Sequence, residues 1–427
     1  MAALVRLGLR ENLPQFALLI VVNAFVGAMV GMERSILPAL AEQDFHLVAR
    51  TAVLSFIVVF GLTKAFSNYF AGRLSDRFGR KHILVAGWLV AVPVPFLLMW
   101  APSWNWILVA NAFLGVSQGL TWSTTVIMKV DLAGPRNRGL AMGLNEFAGY
   151  AAVAASAWAT GWLAARYGLR PEPFYLGAGF VAAGLLLSTI LVRETSHHAA
   201  HEASLAAGSE RRAVPSQREI FWRTTISDRN LSSVSQAGLV NNLNDGMAWG
   251  IFPLFFAAVG LSLDQIGVLA ALYPATWGIA QLFTGAWSDR VGRKWLIVGG
   301  MWMQAAAIVL VIVAGSYSGY AVGACLLGLG TAMVYPTLLA AIGDVAHPSW
   351  RSSAIGIYRF WRDLGYAIGA IIAGVAADRF GLAGAMWLVA GVTLLSGIGV
   401  AIRMRERPAR SSPRDDDQSA QALAGRT

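Results

Sequence analysis

Apolar residues recur in long runs separated by short polar breaks through almost the whole 427-residue chain. A run of about 20 residues with few charges is long enough to cross a bilayer, and it must do so as a helix because lipid leaves backbone groups no water to bond. Twelve such runs are predicted: residues 15–40, 51–72, 82–100, 105–129, 139–165 and 173–193, then 231–259, 265–286, 295–314, 318–344, 352–376 and 383–403. Residues 194–230 between them turn polar and basic, and residues 404–427 lose apolar periodicity, so these read as a cytoplasmic linker and a disordered cytoplasmic tail. The expected fold is an all-α membrane protein of twelve transmembrane helices in two six-helix bundles, residues 1–193 and 231–403.

Composition supports lipid as the solvent. Hydrophobic residues make up 56% of the chain and charged residues 13%, about half the share typical of soluble domains. The net charge of +10 suggests nucleic acid only until the basic residues are placed: 25 of the 33 Lys and Arg fall in loops and tails on one side of the predicted spans. The positive-inside rule then puts both termini in the cytoplasm of a multi-pass inner (plasma) membrane protein, with no nucleic-acid partner expected. The apolar run after Arg6 and Arg10 is too long for a signal peptide and reads as a retained first span. A single cysteine, Cys325, excludes an intrachain disulfide, and His197, His198 and His201 read as part of a solvated loop, so no metal or cofactor is expected.

Self-similarity divides the chain further. GRLSDRFGRK at residues 72–81 returns as GAWSDRVGRK at 285–294, and the same displacement of 213 carries Asp131 onto Asp344, Arg138 onto Arg351 and Glu146 onto Arg359. A second displacement of 89 takes each decapeptide onto a weaker copy, GWLAARYGL or GVAADRFGL, which makes four quarters. Quarters of three spans must alternate in orientation, giving inverted three-helix repeats within two pseudo-symmetric halves. In each decapeptide Gly72 or Gly285 permits close helix packing and Gly79 or Gly292 a tight turn. Asp76 or Asp289 is expected to meet guanidinium groups or a helix N-terminus, beside Arg80 and Arg293. With Asp131 and Arg138 across the neighbouring turn, these residues are expected to form one charge network per half, a latch on the inner side.

GRLSDRFGRK resembles the signature loop between spans two and three of the major facilitator superfamily (MFS), and GAWSDRVGRK the equivalent loop between spans eight and nine. The resemblance covers essentially the whole chain and implies a permease, monomeric and not an enzyme, that carries a small-molecule substrate by symport or antiport with alternating access. A non-transporting sensor with a carrier fold is the competing expectation. Two positions depart from the family's proton-driven drug exporters: Asn111 stands where an Arg is expected in span four, and residues 139–165 hold no proline. Both argue against standard multidrug–proton antiport.

Ionisable residues within spans are costly and mark function. Asp245, Asn241 and Asn244 in span seven, Asn23 and Glu33 in span one, Glu146 in span five, and Gln118, Trp122 and Tyr335 in spans four and ten are the expected substrate or proton contacts. Trp122 and Tyr335 correspond under the 213 displacement and are expected to sandwich a solute. Asp245 has no cation in its own helix and is the first choice for the proton, while Arg34 is expected only to neutralise its neighbour Glu33. Gating residues are Lys64, Arg359, Arg362 and Asp363, with Lys64 expected to pair with Asp363 across the halves because spans two and eleven face each other in the family. Pro38, Pro253 and Pro336 are expected to bend their helices.

Overall fold

The structure is a computed structural model that describes residues 7–133, 138–206, 215–346 and 350–406. Its long elements are all helices: α1 (Leu13–Arg34), α2 (Leu37–Gln43), α3 (Ser55–Phe78), α4 (Arg80–Ala91), α5 (Pro93–Trp100), α6 (Trp104–Ala133), α7 (Arg138–Tyr167), α8 (Tyr175–Ile190), α9 (Arg229–Ala258), α10 (Leu263–Val291), α11 (Arg293–Val313), α12 (Tyr317–Val345) and α13 (Arg351–Arg403). No strand occurs among the described residues. In the linker Ser196–Ala206 is a helix rather than the solvated loop expected of its histidines, and the tail from residue 407 lies outside the described residues.

Seven helices or helix pairs are apolar and long enough to cross a membrane, among them Leu13–Gln43, Arg80–Trp100 and Tyr317–Val345. Helices α3, α6, α7 and α9 match them in length, at 24 to 30 residues, but carry the polar and charged side chains that lower their mean hydropathy. Helix α13 is 53 residues long and is two helices joined at Gly381, whose φ of 75° no helix contains. The first span breaks between α1 and α2 just before Pro38, as expected, and α4 breaks before Pro93, because proline removes a donor from the preceding turn. Helices α9 and α12 run unbroken through Pro253 and Pro336.

Helices α1, α6 and α7 pack with α3 and α4 in the first half, and α9, α11 and α12 with α10 and α13 in the second. The halves meet along two antiparallel pairs, α3 with α13 and α7 with α10. On the face opposite the chain termini, here the far face, these pairs are tight. A Cβ on Gly161 of α7 would stand 2.7 Å from the Gly267 Cα of α10, and one on Gly374 of α13 would stand 2.8 Å from the Thr51 Cα beside α3. Midway, Phe66 of α3 lies edge-on to Phe360 of α13 at 6.0 Å. Towards the terminal face α3, α7 and α13 are looser, and a Cβ at Gly72, Gly143 or Gly356 would meet nothing within 4 Å among the described residues. The far face is thus sealed and the terminal face spread.

Candidate functional site

Several of the buried charges among the described residues collect near this seam. Arg34 ends α1, and its two terminal nitrogens donate to the two carboxylate oxygens of Asp245 on α9, each at 3.1 Å, with side-chain exposures of 4% and 0%. Such a two-pronged pair is the strongest geometry a guanidinium and a carboxylate can adopt. Tyr366 of α13 also donates its hydroxyl to Asp245, and the Arg34 guanidinium lies 5.2 Å from the Trp249 ring. A cavity of about 20 Å³ borders Arg34, Trp249 and Phe252, which is room for one water. Asp245 therefore has its cation, but from the other half of the molecule, and Arg34 serves Asp245 rather than its neighbour Glu33.

Glu33 lies apart from this pair, with Asn111 of α6 as its polar neighbour. It is 0% exposed and neither carboxyl oxygen has a hydrogen-bond partner. Asn111 of α6 is the polar side chain beside it, yet that amide donates to the Ile107 carbonyl oxygen at 3.1 Å and its own Oδ1 is unpartnered.

Closer to the terminal face stands a second cluster, and it differs from expectation. Asp363 of α13 accepts from Arg362 Nη1 at 3.1 Å and from Asn68 of α3, so it bridges the halves through an amide rather than through Lys64. The Lys64 ammonium sits among rings instead, 5.4 Å from Phe60, 5.8 Å from Trp122 and 5.1 Å from Tyr366. Geometry explains the replacement: the adjacent Arg362 already supplies a guanidinium, and cation–π contact holds the ammonium without it. Arg362 also donates to the Tyr150 hydroxyl at 3.2 Å and lies 4.3 Å from the Tyr335 ring. Arg359, the counterpart of Glu146, is only half-buried.

Trp122 and Tyr335 do not face each other, because Tyr150 and Trp277 stand between them. Trp122 donates instead to Glu146 Oε1 at 3.2 Å, an atom that Asn145 also reaches at 2.9 Å. Asn23 holds the Asn145 carbonyl at 2.8 Å and accepts from Thr125 at 2.9 Å, and Gln118 donates to the Val26 carbonyl at 2.8 Å. In α9, Asn241 accepts from Gln304 of α11 at 2.9 Å, and Asn244 donates to the same Gln304 at 2.7 Å while accepting from Thr393 at 2.6 Å. These amides tie helix to helix, while the Gln118 Oε1 and Asn145 Oδ1 atoms keep no hydrogen-bond partner.

The signature loops are built alike. Gly79 and Gly292 have φ values of 90° and 96°, a left-handed turn that lets α3 run directly into α4 and α10 into α11. Arg80 pairs with Asp131 at 3.3 Å and Arg293 with Asp344 at 3.1 Å, one pair per half. The side chains of Asp76, Arg138 and Asp289 and the surroundings of Gly285 lie outside the described residues, although Gly72 and the backbones of these helices are seen. Each loop also receives an acid that sequence reading missed. Glu194 accepts from the backbone N–H groups of Arg80 at 3.2 Å and Lys81 at 3.0 Å, and Glu406 from those of Arg293 at 3.0 Å and Lys294 at 3.1 Å. Burial alone would raise the Glu194 carboxyl, but the N–H groups of Ser196, Lys81, Arg80 and Thr195 hold it below its ordinary range.

Other missed residues are Lys129, Trp249, Tyr366 and Gln304. Lys129, at 1% exposure, gives its ammonium to the Leu19 carbonyl at 3.1 Å, a buried charge at the end of the predicted fourth span. Trp249 follows Asp245 by four residues and shares its helix face, a signal that was legible.

Chain-wide comparisons agree with this architecture. A solved POT family transporter in complex with 5-aminolevulinic acid superposes with a TM-score of 0.73 over 91% of this chain and 95% of its own, at 11% identity, which shows the fold. Multidrug resistance protein MdtG of Enterobacter lignolyticus is 24% identical over 84% of each chain. Fosmidomycin resistance protein of Escherichia coli is 24% identical over 38% of this chain, a stretch that spans 40% of that protein. The family model of the Major Facilitator Superfamily matches residues 18–232 and 234–425, and with two pseudo-equivalent signature loops and a charged seam between halves the chain belongs to that superfamily of secondary membrane transporters.

Proposed function

We propose that the chain moves a small amphipathic organic solute across the inner membrane by rocking its halves, residues 1–193 and 231–403, about the seam, with proton coupling. The observation that carries this is the Arg34–Asp245 pair: a buried ion pair whose members belong to different halves must break whenever the far face opens. Breaking it exposes two charges that a solute or a proton can satisfy, which makes the pair a point where binding and movement are the same event.

Basic loops on the terminal face support a cytoplasmic position for both termini, which would make the sealed far face external and the state inward-facing. The aromatic rings around the charges, Trp122, Tyr150, Trp249, Trp277 and Tyr366, suit a solute with apolar bulk. Relatives named for resistance to drugs support an exporter of organic compounds.

The test is flux in proteoliposomes of neutral, anionic and cationic fluorescent amphiphiles, with and without an imposed pH gradient. Transport stimulated by the gradient is expected, with Asp245→Asn losing gradient-driven accumulation. No flux of any probe in either orientation would reject the carrier reading, and flux indifferent to the gradient would reject the coupling.

A further inference from the structure

We propose that Lys64 anchors the negative group of the solute, so that the amphipathic compound carried is an organic anion with an oxyanion head such as a carboxylate. The inference rests on the carrier reading and adds the charge of the solute and the residue that meets it.

Lys64 is a buried cation that the fold leaves in reserve. It is 8% exposed, and among the described residues no hydrogen bond or ion pair reaches its ammonium. Its neighbours are the rings of Phe60, Trp122 and Tyr366, 5.1 to 5.8 Å away. Ring faces offset part of the cost of burying a cation, but they leave its three N–H donors without oxygen acceptors.

Charge around it balances without it. The charged side chains acting on Lys64 are Asp363, Arg362, Asp245 and Arg34. These cancel in two pairs, Arg362 with Asp363 and Arg34 with Asp245, each at 3.1 Å. Lys129 is the cation near Glu146, and Glu33 has Asn111 as its polar neighbour. One positive charge is thus left over in the cluster at the seam, and Arg359, half-buried nearer the terminal face, adds another on the way in.

Unused donors gather in the same cluster. The Nε atoms of Arg34 and Arg362 and the indole N–H groups of Trp249 and Trp277 have no hydrogen-bond partner. Trp249 shares the Phe60 and Tyr366 rings with the ammonium, and Trp277 packs on Tyr150, which Arg362 holds. The unpartnered acceptors of Asn145 and Glu146 belong instead to the first half's own network around Asn23 and Trp122. An oxyanion brings a negative charge and several lone pairs, which is what a surplus of buried donors lacks.

The site can be reached. Gly72, where a Cβ would meet nothing within 4 Å, lies on the same helix about 12 Å nearer the spread terminal face. A solute entering there would bring its head to the ammonium and lay an apolar ring against Trp122 and Tyr366. With the anion in place the cluster is neutral.

Purified full-length protein in neutral detergent tests this by calorimetric titration, with micelles alone as the blank. The probes share one ring system and differ in charge: 1-naphthoate, 1-naphthalenemethanol and 1-naphthylmethylammonium. Wild type should bind naphthoate about tenfold more tightly than the alcohol, the worth of one charge-assisted contact, and the ammonium most weakly. Lys64→Met and Lys64→Gln should bind naphthoate only as well as the alcohol, with alcohol affinity and melting temperature undiminished, while Lys64→Arg keeps the preference. Failure of naphthoate to bind wild type, equal or tighter binding of the alcohol or the ammonium, or an anion preference that survives in both Lys64→Met and Lys64→Gln overturns the assignment. So does a sharp fall in melting temperature in both variants, which would make Lys64 a structural cation. Flux separates the two readings: naphthoate binding without flux of any probe rejects the carrier and leaves the anion site, whereas flux confined to neutral and cationic probes rejects the anion site and leaves the carrier.

Discussion

Arg34 and Asp245 lie 211 residues apart in the chain and meet through two 3.1 Å hydrogen bonds, the one buried ion pair among the described residues that joins the two halves. Removing one member of a buried pair leaves an uncompensated charge and costs about 3–5 kcal/mol, whereas replacing both by apolar residues is often neutral. Arg34→Met should therefore lower thermal stability sharply, and Arg34→Met combined with Asp245→Leu should recover most of it without recovering flux. Melting curves in detergent and proteoliposome flux check the two halves of this statement.

The seal on the far face depends on two glycines. With a Cβ on Gly161 only 2.7 Å from the Gly267 backbone, Gly161→Leu should force α7 from α10 and hold the far face open. In a Cys325→Ser background, Ala248→Cys, at a position 6% exposed in the sealed state, should then react with an impermeant maleimide from that side. Unchanged labelling would show that the seal lies elsewhere.

Asn241 and Asn244 are tied to Gln304, so they are expected to act as scaffold rather than as solute contacts. Gln304→Leu would orphan buried amide groups, at about 1–3 kcal/mol for each. Stability should fall while solute affinity in the surviving folded protein stays within twofold of wild type; a large affinity loss would return both asparagines to the binding site.

Glu194 closes the first signature loop from outside the spans. Because its folded carboxyl is held below the ordinary value of about 4.3, its contribution is complete above that value and is lost as pH falls through the lowered folded value. Glu194→Gln should cost about 1 kcal/mol, as for a helix cap, at neutral pH and nothing in acid. Melting temperatures of both proteins across that range test the sign.

Much of the architecture was legible in the chain itself. Apolar runs, the 213-residue displacement and the paired decapeptides specify helices, a duplicated fold and two equivalent loops, because each depends on neighbours in sequence or on repetition of it. The break before Pro38 was readable for the same reason. Partners were not. Lys64 and Asp363 were paired on the expectation that spans two and eleven face each other; the spans do meet, but side-chain register gives Asp363 to Arg362 and Asn68 instead.

Sequence alone determined where the long apolar helices run and which face carries the basic loops, since period, length and composition are local properties. Tertiary structure alone decided that Arg34 belongs to Asp245 rather than to Glu33 and that Gln304 joins Asn241 and Asn244. Those outcomes turn on differences of an ångström or two between helices far apart in the chain, and nothing in the order of residues records such distances.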